Sequence, residues 1–473
     1  MREHNAVGYR TLAGVLLALG TLASAVTPAQ VTDPGVRKAS SDGGPPPALS
    51  GLSSEDLLFY QDGLARFATV EVVSGATEGN GLGPRFNSNQ CSSCHSQPMV
   101  GGSSPPANPL YDVVNAGGAS NQMPWFIAHN GPVREARFVQ SNGAPDGGVH
   151  DLFVITGRAD AGSCNLAQPN FLPAGNPVTG LGGNPNVVFR IPTPIFGAGL
   201  IEAIPDAVIL ANQAANATTK RVFGVGGHAN AIQGGNVNRS GNDGTITRFG
   251  WKAQNKSLLM FAGEAYNVEM GISNDLFPQE RDETVNCQGG VAAPNDTNNI
   301  PDPSDPPVPY AVLSDVESFA IFMRMLAPPV PAAPTPSSQH GSTVFASVGC
   351  ALCHTPSLST VQASGRFRRG GLPPTVVDGK QVPLFSDLLV HHMGSGLADG
   401  ITQGAAGPDE FRTAPLWGLG QRVFFLHDGR TSNLITAIRY HASQGSEANQ
   451  VVQKFGALSP QDQQDLINFL RSL

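Results

Sequence analysis

Charge is scarce in this chain. Asp, Glu, Lys and Arg make up only 14% of its 473 residues, and the 36 acidic residues outnumber the 28 basic ones. No basic run or patch stands out, which excludes the electrostatic footprint of a nucleic-acid-binding protein. Disorder is excluded as well, because a chain that is 40% hydrophobic has enough apolar surface to build cores. Long apolar runs are also missing. The stretch GVLLALGTLASAV near the start falls short of the ~20 residues that a membrane span needs. Cysteine is sparse, with six in all, and none comes directly after that stretch, which speaks against a lipid anchor. Gly (56) and Pro (39) are abundant, as in a loop-rich globular protein, and the length suffices for two or three domains.

Arg2 and Arg10 flank the early apolar stretch, and Ala23-Ser24-Ala25 supplies a small-x-small cleavage pattern. Residues 1–25 therefore read as an export signal, with an uncleaved anchor as the alternative. Cleavage would leave no stable membrane span. Residues 26–50 read as a flexible leader. An exported chain meets an oxidising compartment, which predicts a bridge between Cys164 and Cys287; two buried free thiols are the alternative.

The other four cysteines sit in two Cys-x-x-Cys-His motifs, Cys91/Cys94/His95 and Cys350/Cys353/His354. In such a motif the thiols bond to the haem vinyl groups and the His ligates iron from one face. Two copies in one exported chain point to two covalent c-type haems. A zinc site would need four ligands, and no second CxxC or HxxxH pair lies near either motif.

The motifs belong to a repeat. LSDVESFAIFMRMLAPP begins at Leu313 and LSPQDQQDLINFLRSL at Leu458, both with helical periodicity. Ser314 with Glu317 predicts a capping box, and Ser459 followed by Pro460 an N-cap with Pro at the first helical position. Phe319, Met323 and Leu326 share one face, as do Leu466, Phe469, Leu470 and Leu473. Helix-like stretches also precede each motif, EDLLFYQDGLARFATVE and HGSTVFASVG. Each half thus reads as helix, haem motif, variable middle and closing helix, with the closing helix packed on the opening one. The fold expected is mainly α, with two class I cytochrome c-like domains at 51–330 and 331–473. From His95 to Ser314 is 219 residues, but from His354 to Ser459 only 105. The excess falls in a Gly/Pro/Asn-rich insertion over about 100–250, where DLFVITG and NVVFRIP suggest short strands. Only one half carries it, so the two haems are not equivalent.

The second axial ligand decides what each haem does. A closed iron carries electrons, and an open one allows chemistry. In the second half the candidates are His391, His392, Met393, His427 and His441. HDGR reads as a turn, Ser432 as the cap of the next helix, and His441 as the residue that closes that helix. His391-His392-Met393 forms a fallback set, and His427 reads as a turn anchor. In the first half His129, His150 and His228 all lie in loop-like surroundings. Arg134, Arg137 and Arg430 pair either with haem propionates or with structural carboxylates.

GPRFNSNQCSSCHSQP, GPVREARF, FRIPTPIFGAGLIEAIPD, RFGWKAQNKSLL, LFPQE, APLWGLG and FLHDGRT together carry a family resemblance along nearly the full mature chain. The chain resembles the di-haem oxidoreductase branch, often called thiol oxidoreductase-like, of the bacterial di-haem cytochrome c peroxidase and MauG superfamily. In that superfamily the residue fourteen after the HDG-type His is the distal ligand of the C-terminal haem, usually Met. Here it is His441, which implies a bis-His haem of lower potential. The resemblance also implies a Trp between the haems and a Glu over the N-terminal one. Trp251 and Glu269 fit in order and approximate spacing, with a small length difference and one residue missing from the Glu motif. The alternatives are a core aromatic for Trp251 and a solvated helix residue for Glu269. For the switchable distal His of the N-terminal haem, either His150 serves or no protein ligand does.

The function so implied is periplasmic peroxide reduction at the N-terminal haem. Glu269 would shuttle the proton, and the C-terminal haem would relay electrons from a small cytochrome c or cupredoxin. MauG-like oxidation of an organic or protein substrate and plain di-haem electron carriage are the alternatives. Nothing in the sequence points to thiol chemistry.

Overall fold

The computed structural model describes residues 30–38, 45–71, 81–114, 121–154, 166–171, 186–231, 246–279, 295–297, 313–360 and 372–473. The expected signal at 1–25, Cys164 and Cys287 lie outside the described residues. Among those described no helix is long and apolar enough to cross a membrane.

Each half is built on a pair of crossed helices. Ser54–Phe67 packs on Asp315–Met325, and Pro336–Val348 packs on Pro460–Ser472. These are the opening and closing helices expected on either side of each motif. Their starts are set locally. Ser314 Oγ accepts from Glu317 N at 3.2 Å, and Ser459 Oγ accepts from Asp462 N at 3.1 Å ahead of Pro460. Both crossings turn on a helical glycine. A Cβ on Gly63 would meet the carbonyl of Ser318 and Cβ of Phe322; one on Gly341 would run into the carbonyl of Asp465 and Cβ of Phe469.

The closing helices differ in burial. Pro460–Ser472 keeps an outer polar side, whereas Asp315–Met325 is buried on nearly every face. Its surroundings explain this. The helices Ala198–Glu202 and Leu258–Met270 cover the sides that an amphipathic helix would leave to water. Arg324 is therefore buried and pairs with Glu202 at 2.7 Å.

The architecture is mixed, with many helices and several very small sheets, and not mainly α. The insertion does contain short strands. Glu135–Phe138 forms the centre of a three-stranded antiparallel sheet, flanked by Val149–His150 and Val187–Arg190. Strands also occur in the second half, where Val390–His392 pairs with Glu410–Arg412. Gly and Pro keep these ribbons to a few residues each.

Two cores result. The larger gathers the first pair of helices with the insertion and takes in Leu384, Leu388 and Leu389 from the second half. The smaller lies between Pro336–Val348 and Pro460–Ser472. The leader, expected to be flexible, is docked where it is described. Asp33 pairs with Arg471 at 2.7 Å and accepts from Leu434 N at 2.7 Å, and Arg37 Nη2 donates to the carbonyl of Leu473 at 3.3 Å.

Candidate functional site

Each Cys-x-x-Cys-His motif lines a cavity. The first has an empty volume of about 1170 Å³ and the second about 1410 Å³, open mouths included.

In the first cavity Cys91–Cys94 forms one helical turn, and His95 closes it. His95 Nδ1 donates to the carbonyl of Gly102 at 3.1 Å, which fixes the ring, and the backbone of Thr193 acts on it as well. Burial lowers its pKa to about 4, so the imidazole is neutral and able to bind a metal. Another wall comes from the helix Leu258–Met270, capped at its start by Ser257 and at its end by Gly271 (φ +71°). This helix brings Glu264 and Glu269 to the cavity, and the insertion sheet brings Glu135, Arg137 and Arg190. The Glu269 carboxyl has no hydrogen bond to a described residue. Burial first, then the neighbouring Glu135 and Glu264, push its pKa up to about 8. Glu135 is tied to Arg137 at 2.5 Å, and Glu264 to Asn255. No second histidine is among the described residues lining this cavity; Met323 lines it from the buried first closing helix.

The second cavity is closed by imidazoles. His354 Nδ1 donates to the carbonyl of Phe385 at 3.1 Å. The helix Leu434–Tyr440 ends at His441, whose Nδ1 donates to the carbonyl of Ala437 at 2.8 Å. Both rings therefore offer Nε2. Burial and then His441 lower the pKa of His354 to about 4, so the two rings lie close enough to interact. The helix is capped by Asn433, which accepts from Thr436 N at 2.9 Å, and not by Ser432.

Trp251 lines both cavities, and its indole Nε1 donates to the carbonyl of Ile191 at 2.8 Å. Beside it His427 stacks on Phe411 with ring centroids 4.2 Å apart. HDGR is a turn as expected, but the His427 ring faces the second cavity and contacts Trp251 edge-on.

The four motif cysteines are free thiols. Burial raises all four, Cys94 to about 11 and Cys350 to about 12, which disfavours the low-pKa thiolate of a redox dithiol. Unpaired thiols, a buried neutral imidazole beside them and a mainly apolar cavity fit a haem in each half.

Several expected candidates fall elsewhere. His150 does not line the first cavity; it stacks on Phe138 and pairs with Asp146 at 2.9 Å. His129 and His228 do not line it either. His391 is removed from the fallback set because its ring nitrogens are bonded to Asp387 at 2.9 Å and Glu447 at 2.7 Å. His392 is exposed and held by Asp409 at 3.0 Å, whereas Met393 does line the second cavity. Arg430 is structural, bonded to Asp428 at 2.7 Å, while Arg134 and Arg137 line the first cavity. Sequence reasoning passed over Glu135, Glu264, Arg412 and Arg422. Glu135 lay within the quoted GPVREARF, but no periodicity marks it as facing a cavity.

A family model described as "Di-haem oxidoreductase, putative peroxidase" matches residues 183–473. No curated protein matches the chain. Among solved structures, a hydrazine synthase chain from Kuenenia stuttgartiensis is 19% identical, with a TM-score of 0.21. That match covers 34% of this chain and spans about half (55%) of the synthase chain. A MauG-like protein associated with microbial copper homeostasis is 14% identical over 66% of this chain and 95% of its own, with a TM-score of 0.26. At such scores neither likeness carries an argument about geometry.

Proposed function

The chain belongs to the di-haem oxidoreductase family, and from that premise we propose that it is an exported peroxidase with a reactive first haem and a relay second haem. The contrast between the two cavities carries this reading. The described lining of one has a single imidazole and a protonated carboxyl; that of the other has the imidazoles of His354 and His441, with His427 beside Trp251 and His391 held by two acids.

Cys91, Cys94 and His95 would hold the first haem, and Cys350, Cys353, His354 and His441 the second. When bound, the haems supply the redox chemistry: hydrogen peroxide takes up two electrons and two protons and leaves as two waters. The residues of the chain supply position and protons. With a pKa of about 8, Glu269 keeps its proton at neutral pH. It can donate to one peroxide oxygen and take a proton from the other, as a general acid–base group at hydrogen-bond reach does. The absence of a second histidine among the described lining residues supports an accessible site at His95. His441, facing the interior beside His354, supports a closed second site. Trp251 is the side chain shared by the two walls and is proposed to lie on the electron path. A small cytochrome c or cupredoxin would be the donor. We read the two crossed helix pairs as two cytochrome c-like units, 51–330 and 331–473, and residues 1–25 as the export signal to the periplasm.

Peroxide turnover with reduced cytochrome c tests the acid–base role. Glu269→Gln keeps the shape and cannot release a proton, so the rate is expected to fall about 100-fold or more. An unchanged rate would remove Glu269 from the mechanism. A ferric EPR spectrum with only low-spin signals, unaffected by peroxide after partial reduction, would favour a plain electron carrier. Beyond the motif the first cavity is lined by the polar groups of Glu135, Arg137 and Gln254, as a site for an organic substrate would be. A MauG-like oxidation would then show as consumption of a second substrate in place of the reduced donor.

A further inference from the structure

The second cavity holds two positive charges that nothing in the described structure neutralises. Arg412 and Arg422 both line it, and both are buried, at 9% and 7% exposure. Arg412 Nε donates to the carbonyl of Gly250 at 2.9 Å and Nη1 to that of Thr413 at 3.4 Å. The Arg422 guanidinium has no hydrogen bond to a described residue. Among the described residues no carboxylate lies within ion-pair distance of either.

The nearby acids are already committed. Asp387 acts on Arg412 from a distance, but its carboxylate is bonded to His391 Nε2 at 2.9 Å. Glu447 lines the same cavity and is bonded to His391 Nδ1 at 2.7 Å. His391 is bonded to both carboxylates at once, so neither is left for the two guanidiniums. Burial lowers both guanidiniums to about 10, and Arg412 is lowered further by the charge of Arg422. Leaving a buried charge unpaired costs several kcal/mol, so such a pair is expected to meet an anion brought by the ligand.

We propose that Arg412 and Arg422 are an anion clamp for the carboxylate side chains of the haem in the second cavity. The same clamp is anchored to the bridging tryptophan. Arg412 N donates to the carbonyl of Trp251 at 2.8 Å, and the Arg412 guanidinium binds the preceding residue, Gly250. Cofactor and indole would thus share one fixed support. Two guanidiniums would also favour ferrous over ferric iron, raising the low potential that bis-His ligation sets. The inference rests on the di-haem reading of this cavity.

The test is spectroelectrochemical titration of the full-length holoprotein against pH, with Arg412→Leu, Arg422→Leu and Arg422→Lys. In the wild type, clamped carboxylates stay ionised and the midpoint potential of the bis-His haem is flat across neutral pH. Each leucine variant is expected to shift that potential down and to gain a pH slope, as a released carboxylate begins to titrate. Arg422→Lys is expected to restore most of the wild-type potential. Unchanged potential and slope in both leucine variants, at wild-type haem content, would overturn the clamp. So would a wild-type potential that moves with added inorganic phosphate, since the anion held there would then come from solution. Should a leucine variant not fold, Arg422→Gln gives the same comparison. A wild-type chain with a single haem would instead refute the di-haem reading itself.

Discussion

At the scale of single residues, the local medium decides which groups carry charge. Glu269 would ionise near 4.5 in water but does so at about 8 in the first cavity, because burial removes the solvent that stabilises its anion. Two consequences follow. Proton donation by Glu269 is available below about pH 8 and is lost above it, so peroxide turnover is expected to fall through that pH; a rate that rises there would exclude the role. Stability changes with the same sign. Between 4.5 and about 8 the unfolded chain has released the Glu269 proton and the folded chain has not, so stability falls as pH rises across that window. Urea titrations of wild type and Glu269→Gln check this, since the variant should have a flatter profile. The Cys-x-x-Cys-His residues were legible in the sequence because the motif is a local pattern. His441 was legible only as a position relative to His427, and its partner carbonyl at Ala437 explains how it can serve. For His391, one of the fallback set, no pattern announces that Asp387 and Glu447 occupy both of its nitrogens.

At the scale of elements, the repeated helix pair was readable from caps and apolar periodicity, and the crossings were not. Gly341 has an ordinary helical setting, so alanine there would gain about 1 kcal/mol of helix propensity. Its Cβ, however, would strike the backbone of Asp465, which no rotamer change can relieve. Forcing the helices apart costs more, about 1–3 kcal/mol for typical overpacking and the loss of their shared contacts besides. Gly341→Ala is therefore expected to lower the melting temperature, and Gly63→Ala likewise in the first pair. A neutral or higher melting temperature would show that the crossing tolerates separation. The amphipathic reading of Asp315–Met325 identified one buried face. It missed the others because they are covered by segments from 198 onward and 258 onward, whose approach leaves no periodic mark in the helix itself.

At the scale of the whole molecule, the halves share the larger core and the buried pair Arg190–Asp399, and the chain's own leader packs on both. Trp251 touches both cavities from a turn held by Ile191 and Arg412. Trp251→Phe is expected to slow electron transfer from the second haem to the first, read by stopped-flow reduction, while each haem keeps its own spectrum. Wild-type transfer rates in the variant would place the path elsewhere. Asp33 secures the leader to Arg471, and both side chains are only 5% exposed. Its pKa stays below the usual carboxylate range because Arg471 and the amides of Leu434 and Gly35 outweigh burial. Asp33→Ala leaves a buried guanidinium without its partner, so a loss of about 3–5 kcal/mol is expected in chemical denaturation. The wild-type contribution is present above pH 4 or so and is lost as pH falls through the lowered pKa.

What the sequence determined by itself was whatever depends on neighbours along the chain: the two attachment motifs, the caps, the closing helices, the HDGR turn and the asymmetry in length between the halves. Tertiary structure alone decided which groups share a cavity. Glu269 faces the cavity of His95, Trp251 lies in both walls, Arg412 and Arg422 meet without a counter-ion, and His391 is claimed by two acids. The physical reason is range. Hydrogen-bonded turns and helical periodicity are set within a few residues, whereas burial and Coulomb interactions act between segments that only the packed chain brings together.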